Sequence, residues 1–114
     1  MKCYRLNEEK EPIPCTILEA GRVFEDGDSR KVAVDVIGSV RISTVFLCFD
    51  HGFNSEKPPV LWETMIFLED SPSQGNAALQ ELKDYQERYS SHEDALQGHK
   101  AAVEQVRKAM GETA

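Results

Sequence analysis

The stretch KVAVDVIGSVRISTVFLCF, residues 31–49, decides the fold. Val32, Val34 and Val36 alternate with Lys31 and Asp35. That period of two predicts a half-buried strand over 31–37, valines on its apolar face and Lys31 and Asp35 on the other. Gly38-Ser39 is a two-residue link of the kind hairpins use, so VRISTVFLCF (40–49) returns as a longer strand. Its even positions are Val40, Ile42, Thr44, Phe46 and Cys48; its odd positions are Arg41, Ser43, Val45, Leu47 and Phe49. The first half is one-sided, but from Val45 onward both faces are apolar. VLWETMIFL (60–68) repeats this: Leu61, Met65 and Phe67 oppose Val60, Trp62, Ile66 and Leu68. Strands apolar on both faces have to be covered on both. One helix covers one face, which leaves the other to a second helix or a second copy of the chain.

The helices come from the flanks. In TILEAGRVFE (16–25), Ile17, Ala20, Gly21 and Phe24 recur at helical spacing and predict a short N-terminal helix, and EDGDS (25–29) is turn chemistry. After Ser90 as N-cap and Glu93 three residues later, Leu96, His99, Val103, Val106 and Met110 recur every three or four residues, flanked by Ala95, Ala102 and Ala109. This predicts an amphipathic helix closed by Gly111. Residues 1–14, broken by Pro12 and Pro14, read as a loose arm. ALQELKDYQERY (78–89) reads as a helix giving way to an extended QERY. The expected architecture is one α+β domain over 1–114: a three- to four-stranded antiparallel sheet, the long C-terminal helix packed on one face, and a short N-terminal helix.

Composition sets the class. A chain of 114 residues with 40% hydrophobic and 29% charged residues matches a single globular domain. No apolar run approaches the roughly 20 residues of a membrane span, and no apolar stretch follows Lys2, so a cytoplasmic protein is expected. Twenty acids against 13 bases give a net charge of −7. That repels phosphate backbones and argues against general nucleic-acid binding. Cys3, Cys15 and Cys48 are odd in number and far apart, and predict neither a zinc site nor a disulfide framework. No phosphate-cradling glycine loop, serine elbow or His-x-x-x-His spacing is present, so no cofactor or metal is expected.

The candidate site residues cluster around DHGFNSEKPP (50–59), a loop long for a hairpin on a rigid sheet. Asp50 and His51 leave a strand end at its mouth, as a site or as an Asx-type turn. Glu63 interrupts an apolar strand and needs solvent or a partner such as Arg41 or His99. His99, inside the apolar stripe, is expected as a core histidine bonded to a backbone carbonyl or to Thr44. Phe53, Trp62, Tyr85, Tyr89, Arg41 and Arg88 are aromatic and guanidinium groups of the kind that stack on bases and clamp phosphates, with core packing as the alternative for Trp62.

The segments Ser43–His51, Pro58–Phe67, Arg88–Ser91 and Gly98-His99 together resemble a family of small bacteriophage and prophage proteins, over roughly residues 32–107. The chain departs from that pattern at Cys48 and Phe49 and carries extra residues around 71–86. The resemblance brings no activity with it, but small phage accessory proteins often counter host defence by blocking a protein or sequestering a nucleotide signal. The expected function is therefore a non-catalytic phage-type binding protein, a homodimer or larger, with a small nucleotide as candidate ligand. Arg41 and Arg88 would clamp phosphate, Phe53 and Trp62 would stack, and Asp50 or His51 would meet base or ribose edges. The alternatives are a small hydrolase using His51 or His99 with Glu63, and an acidic inhibitor of a host protein.

Overall fold

A computed structural model of the chain describes residues 2–50, 58–68 and 77–111. The chain is α+β. Strands β3 (Lys31–Ile37), β4 (Val40–Phe46), β5 (Trp62–Leu68) and β6 (Gln86–Tyr89) form a four-stranded antiparallel sheet in the order β3-β4-β5-β6. Helix α4 (His92–Ala109) packs across its inner face. Helix α1 (Ile17–Glu25) and the single-turn helices α2 (Gly27–Arg30) and α3 (Ala77–Gln80) fill the ends.

Residues 2–14 are not a loose arm. Strands β1 (Tyr4–Leu6) and β2 (Pro12–Pro14) pair antiparallel, Tyr4 opposite Pro14 and Leu6 opposite Pro12. The intervening turn is closed by Asn7, whose Oδ1 accepts from the backbone N–H of Glu9 and of Glu11 at 2.9 Å each. The inward-pointing donors of this ladder sit on odd-numbered residues, Cys15 giving its N–H to Cys3 O at 3.0 Å. Pro12 and Pro14 therefore turn their hydrogen-free nitrogens to the outer edge, where a strand tolerates them.

The β3–β4 hairpin forms as its sequence predicts, with Gly38 at φ +59° in the link. Its faces are the reverse of the reading from alternation. The two-residue link sets Ile37 opposite Val40, Asp35 opposite Ile42 and Val36 opposite Arg41. Cross-strand partners share a face, so Asp35 goes inward with buried Ile42. Val34 and Val36 are left 41% and 66% exposed on the outer face. A register shift between Lys31 and Ala33 lets Val32, alone of the three valines, pack against the core.

Helix α4 begins one residue later than its sequence suggests: Ser91 is the N-cap, its Oγ accepting from Asp94 N at 3.0 Å. The helix stops at Gly111, φ +81°. Its buried stripe is Ala95, His99, Ala102 and Val106 rather than the larger residues beside them, and Leu96 stays 36% exposed. Small residues let the helix axis sit close to the sheet. In α1, Thr16 and Glu19 form a capping box, but Ala20 and half-buried Val23 face the core while Ile17 and Phe24 are exposed. Ala20 joins the cluster beneath α4, so α1 seals one end of the inner layer and does not cover the outer face of the sheet. The helix expected from residue 78 lasts a single turn, and QERY is the edge strand β6.

The core is divided in two. One cluster holds Cys3, Ala20, Phe46, Cys48, Leu61, Trp62 and Ala95; the other holds Val40, Ile42, Ile66, Leu79, Ala102 and Val106. Thr44, Thr64 and His99 lie between them as the buried polar residues.

Candidate functional site

That polar layer is a hydrogen-bonded chain crossing the core. His99 Nε2 lies 2.7 Å from Asp35 Oδ2, and His99 Nδ1 lies 2.7 Å from Thr44 Oγ1. Thr44 Oγ1 is 2.5 Å from Thr64 Oγ1, and the Tyr89 hydroxyl donates to Thr64 Oγ1 at 3.1 Å. A carboxylate only accepts, so for a neutral imidazole every direction follows. Nε2–H donates to Asp35, Thr44 donates to Nδ1, Thr64 donates to Thr44, and Tyr89 donates to Thr64. The network thus holds His99 in one tautomer. Gly98 makes room for it: a Cβ built there would overlap the Tyr89 ring and hydroxyl.

Carboxylate, imidazole and hydroxyl in this order resemble an acyl-transfer triad. The geometry withholds the chemistry, because Thr44 and Thr64 are fully buried and no reacting carbonyl can approach Oγ1. The network reaches solvent chiefly through Asp35, whose side chain is 53% exposed. Bonding of His99 to Thr44 was legible in the sequence; its second partner, Asp35, was not, because alternation set Asp35 on the solvent face. Thr64 also went unread, Tyr89 was read as a stacking aromatic and not as a member of this network, and Gly98 entered only as part of a resemblance. The signal for Thr64 was a threonine among aliphatics at the same mid-strand position as Thr44.

The other candidates fall in different places. Glu63 lies on the outer face and pairs with neither Arg41 nor His99. Its Oε2 accepts from Arg88 Nε at 2.9 Å and from Gln86 Nε2 at 2.7 Å, Arg88 being its cross-strand partner. Arg41 lies on the same face with its guanidinium 4.5 Å from the centroid of the Phe67 ring. Asp50 accepts from Val60 N at 2.9 Å and gives its own N–H to Lys2 O at 3.1 Å, so it ties the N-terminal segment to the approach of β5. Trp62 is fully buried on the inner face against Phe46, in the packing role, with the edge of His92 6.4 Å away between ring centroids. His51 and Phe53 lie outside the described residues. Arg41, Glu63 and Arg88 thus share the outer face, whereas Trp62 and His99 share the inner one. Among the described residues no group of three His, Cys, Asp or Glu side chains could hold a metal ion, and no helix is long and apolar enough to cross a membrane.

Comparison with protein families, with curated proteins and with solved structures gives no match.

His92 carries a pH signature. Burial, and after it the charge of Lys10, holds its imidazole below the ordinary histidine value, and its place at the start of α4 adds the unfavourable end of the helix dipole. Its protonation therefore favours the unfolded chain. The stabilising contribution is complete above the unfolded value of about 6.5 and is lost as pH falls through the lower folded value. An NMR titration should place the His92 midpoint below that of an unstructured histidine. His92→Gln should flatten the stability profile in that window; a midpoint at or above the unstructured value would contradict the assignment.

Proposed function

We propose that this chain is a non-catalytic binding protein of the phage type that acts as a homo-oligomer through the outer face of its sheet. The service we assign to it is counter-defence sequestration of a small nucleotide. The observation that carries this reading is the outer face itself. Val34, Val36, Val45, Met65 and Phe67 lie on it, with Arg41 over Phe67 at one end and the Glu63–Arg88 pair at the other. A sheet face of this composition is what a self-complementary two-fold contact uses. The nucleotide reading gains from the same symmetry. Arg41 and Arg88 stand four residues apart along the strands and two strands apart across them, about 13 Å by about 10 Å. On one chain Arg41 is held over Phe67 and Arg88 against Glu63, and a second copy would bring a further pair of guanidiniums to the face. The hydrolase alternative loses one of its pairings, since Glu63 and His99 occupy opposite faces of the sheet.

The test is light scattering on the purified chain, followed by thermal shift against cyclic and linear nucleotides with the ligand recovered for mass spectrometry. The expected result is a dimer or larger species, with a melting temperature that rises with protein concentration, that Val36→Asp reduces to a folded monomer. A nucleotide at 100 times its dissociation constant should add about 2.7 kcal/mol. A monomeric wild type overturns the oligomer, and no shift across the panel overturns the nucleotide. A recovered product in place of intact ligand would make the protein an enzyme.

A further inference from the structure

The three cysteines, at positions 3, 15 and 48, converge. Cys3 and Cys48 belong to one core cluster and Cys15 packs against it. Tyr4 N donates to Cys48 O at 2.8 Å and Cys15 N to Cys3 O at 3.0 Å. None of the three is in a disulfide. Two of them border a groove. A groove of about 480 Å³ between the N-terminal hairpin and the start of α1 is lined by Lys2, Cys3, Tyr4, Cys15 and Ile17 among others, while Cys48 is sealed in the core.

We propose that Cys3 and Cys15 form a thiol–disulfide exchange site that a low-molecular-weight disulfide enters through this groove. Tyr4 pairs with Pro14, so the next cross-strand pair outward is Cys3 opposite Cys15, joined by a backbone hydrogen bond. Hydrogen-bonded antiparallel partners stand about 5.5 Å apart between Cα atoms and project to one face, inside the roughly 4.4–6.8 Å that a disulfide spans. Each strand of this hairpin is only three residues long. Lys2 at the groove supplies a cation for an anionic reagent such as glutathione disulfide.

The exchange balances. The Cys15 thiolate, the more exposed of the pair, attacks one sulfur of the small disulfide; that S–S bond breaks and one small thiolate leaves. The Cys3 thiolate then attacks the Cys15 sulfur of the mixed disulfide and expels the second. Two protein thiols are oxidised, one small disulfide is reduced to two thiols, and the cysteine protons end on the released thiols. The product bond links the residue before β1 to the residue before Thr16, the N-cap of α1, and reinforces the Arg5–Glu19 ion pair that already joins strand and helix at 3.4 Å. Burial, followed by the charge of Glu19, raises the Cys15 thiol above its ordinary value. The exchange should therefore accelerate about tenfold per pH unit while the thiol stays mostly protonated.

The experiment incubates the folded full chain with glutathione disulfide, blocks remaining thiols, digests with trypsin without reduction and reads the peptides by mass spectrometry. The expected product joins peptide 3–5 to peptide 11–22, two hydrogens lighter than their sum, on a chain that runs as a monomer on a non-reducing denaturing gel. Peptide 42–83, which carries Cys48 because trypsin does not cut between Lys57 and Pro58, should be recovered blocked and unlinked. Cys15→Ser, a change at a half-buried site, should abolish the intramolecular link. A link from either cysteine to peptide 42–83, a link between chains, or three blocked thiols after prolonged exposure at pH 8.5 would overturn the proposal.

Discussion

Replacing Thr44 by valine is expected to lower the stability of this protein by about 2–6 kcal/mol, although the side chain hardly changes in size. The loss comes from two neighbours. Thr44 is fully buried and stands between His99 Nδ1 and Thr64 Oγ1. Without its hydroxyl the imidazole nitrogen has lost its donor and Thr64 its acceptor, each an unpaired polar group at roughly 1–3 kcal/mol. Against a total of about 5–15 kcal/mol for a domain, that is a large fraction. The midpoint of urea unfolding at unchanged slope measures it. Thr64→Val should cost less, because it leaves the Thr44–His99 bond intact and deprives only half-buried Tyr89 of its acceptor. Adding His99→Leu to Thr44→Val should recover part of the loss, since an apolar replacement of both partners leaves one orphan fewer. Equal costs for Thr44→Val and Thr64→Val would mean that the chain does not act in the order described.

Gly98→Ala should destabilise by about 1–3 kcal/mol, the range for overpacking, against the roughly 1 kcal/mol that alanine normally adds in a helix interior. The sign is set by Tyr89, whose ring and hydroxyl occupy the space of the missing Cβ. To admit a methyl group the ring has to move, and its hydrogen bond to Thr64 goes with it. The decisive measurement is a double-mutant cycle. In a Tyr89→Ala background the same Gly98→Ala change should become stabilising, because only helix propensity remains. Tyr89→Phe should not reverse the sign, since the ring carbons overlap the position as well, though less closely than the hydroxyl. A Gly98→Ala that stabilises the wild-type chain would show that Tyr89 does not pass beneath α4 at this point.

Local pattern by itself determined a good part of this protein. The alternation in 31–37, the Gly38-Ser39 link and the return over 40–46 specify a hairpin. The stripe after Ser91 and the stop at Gly111 specify the long helix, and together they make the class α+β. His99 could be read as a satisfied core histidine from its place in that stripe, and Trp62 as a packing residue from its strand. Such features depend on neighbours within a few residues, which is the range over which periodicity and turn chemistry act.

What pattern left open, contacts far apart in the chain decided. A period of two says that a strand has two faces but not which is inner, and β4 and β5 are apolar enough on both that either side was available. The choice fell to the buried stripe Ala95–His99–Ala102–Val106, whose two alanines seat α4 over Phe46, Thr44 and Ile42. The short link then turned Asp35 inward with Ile42 and two valines outward. The same choice made Asp35 the partner of His99, 64 residues away, and set Glu63 beside Arg88, 25 residues away. The N-terminal hairpin escaped notice because prolines read as breakers until the side of the ladder their nitrogens face is known. The three cysteines looked unrelated because only the folded chain lays residue 3 beside residues 15 and 48.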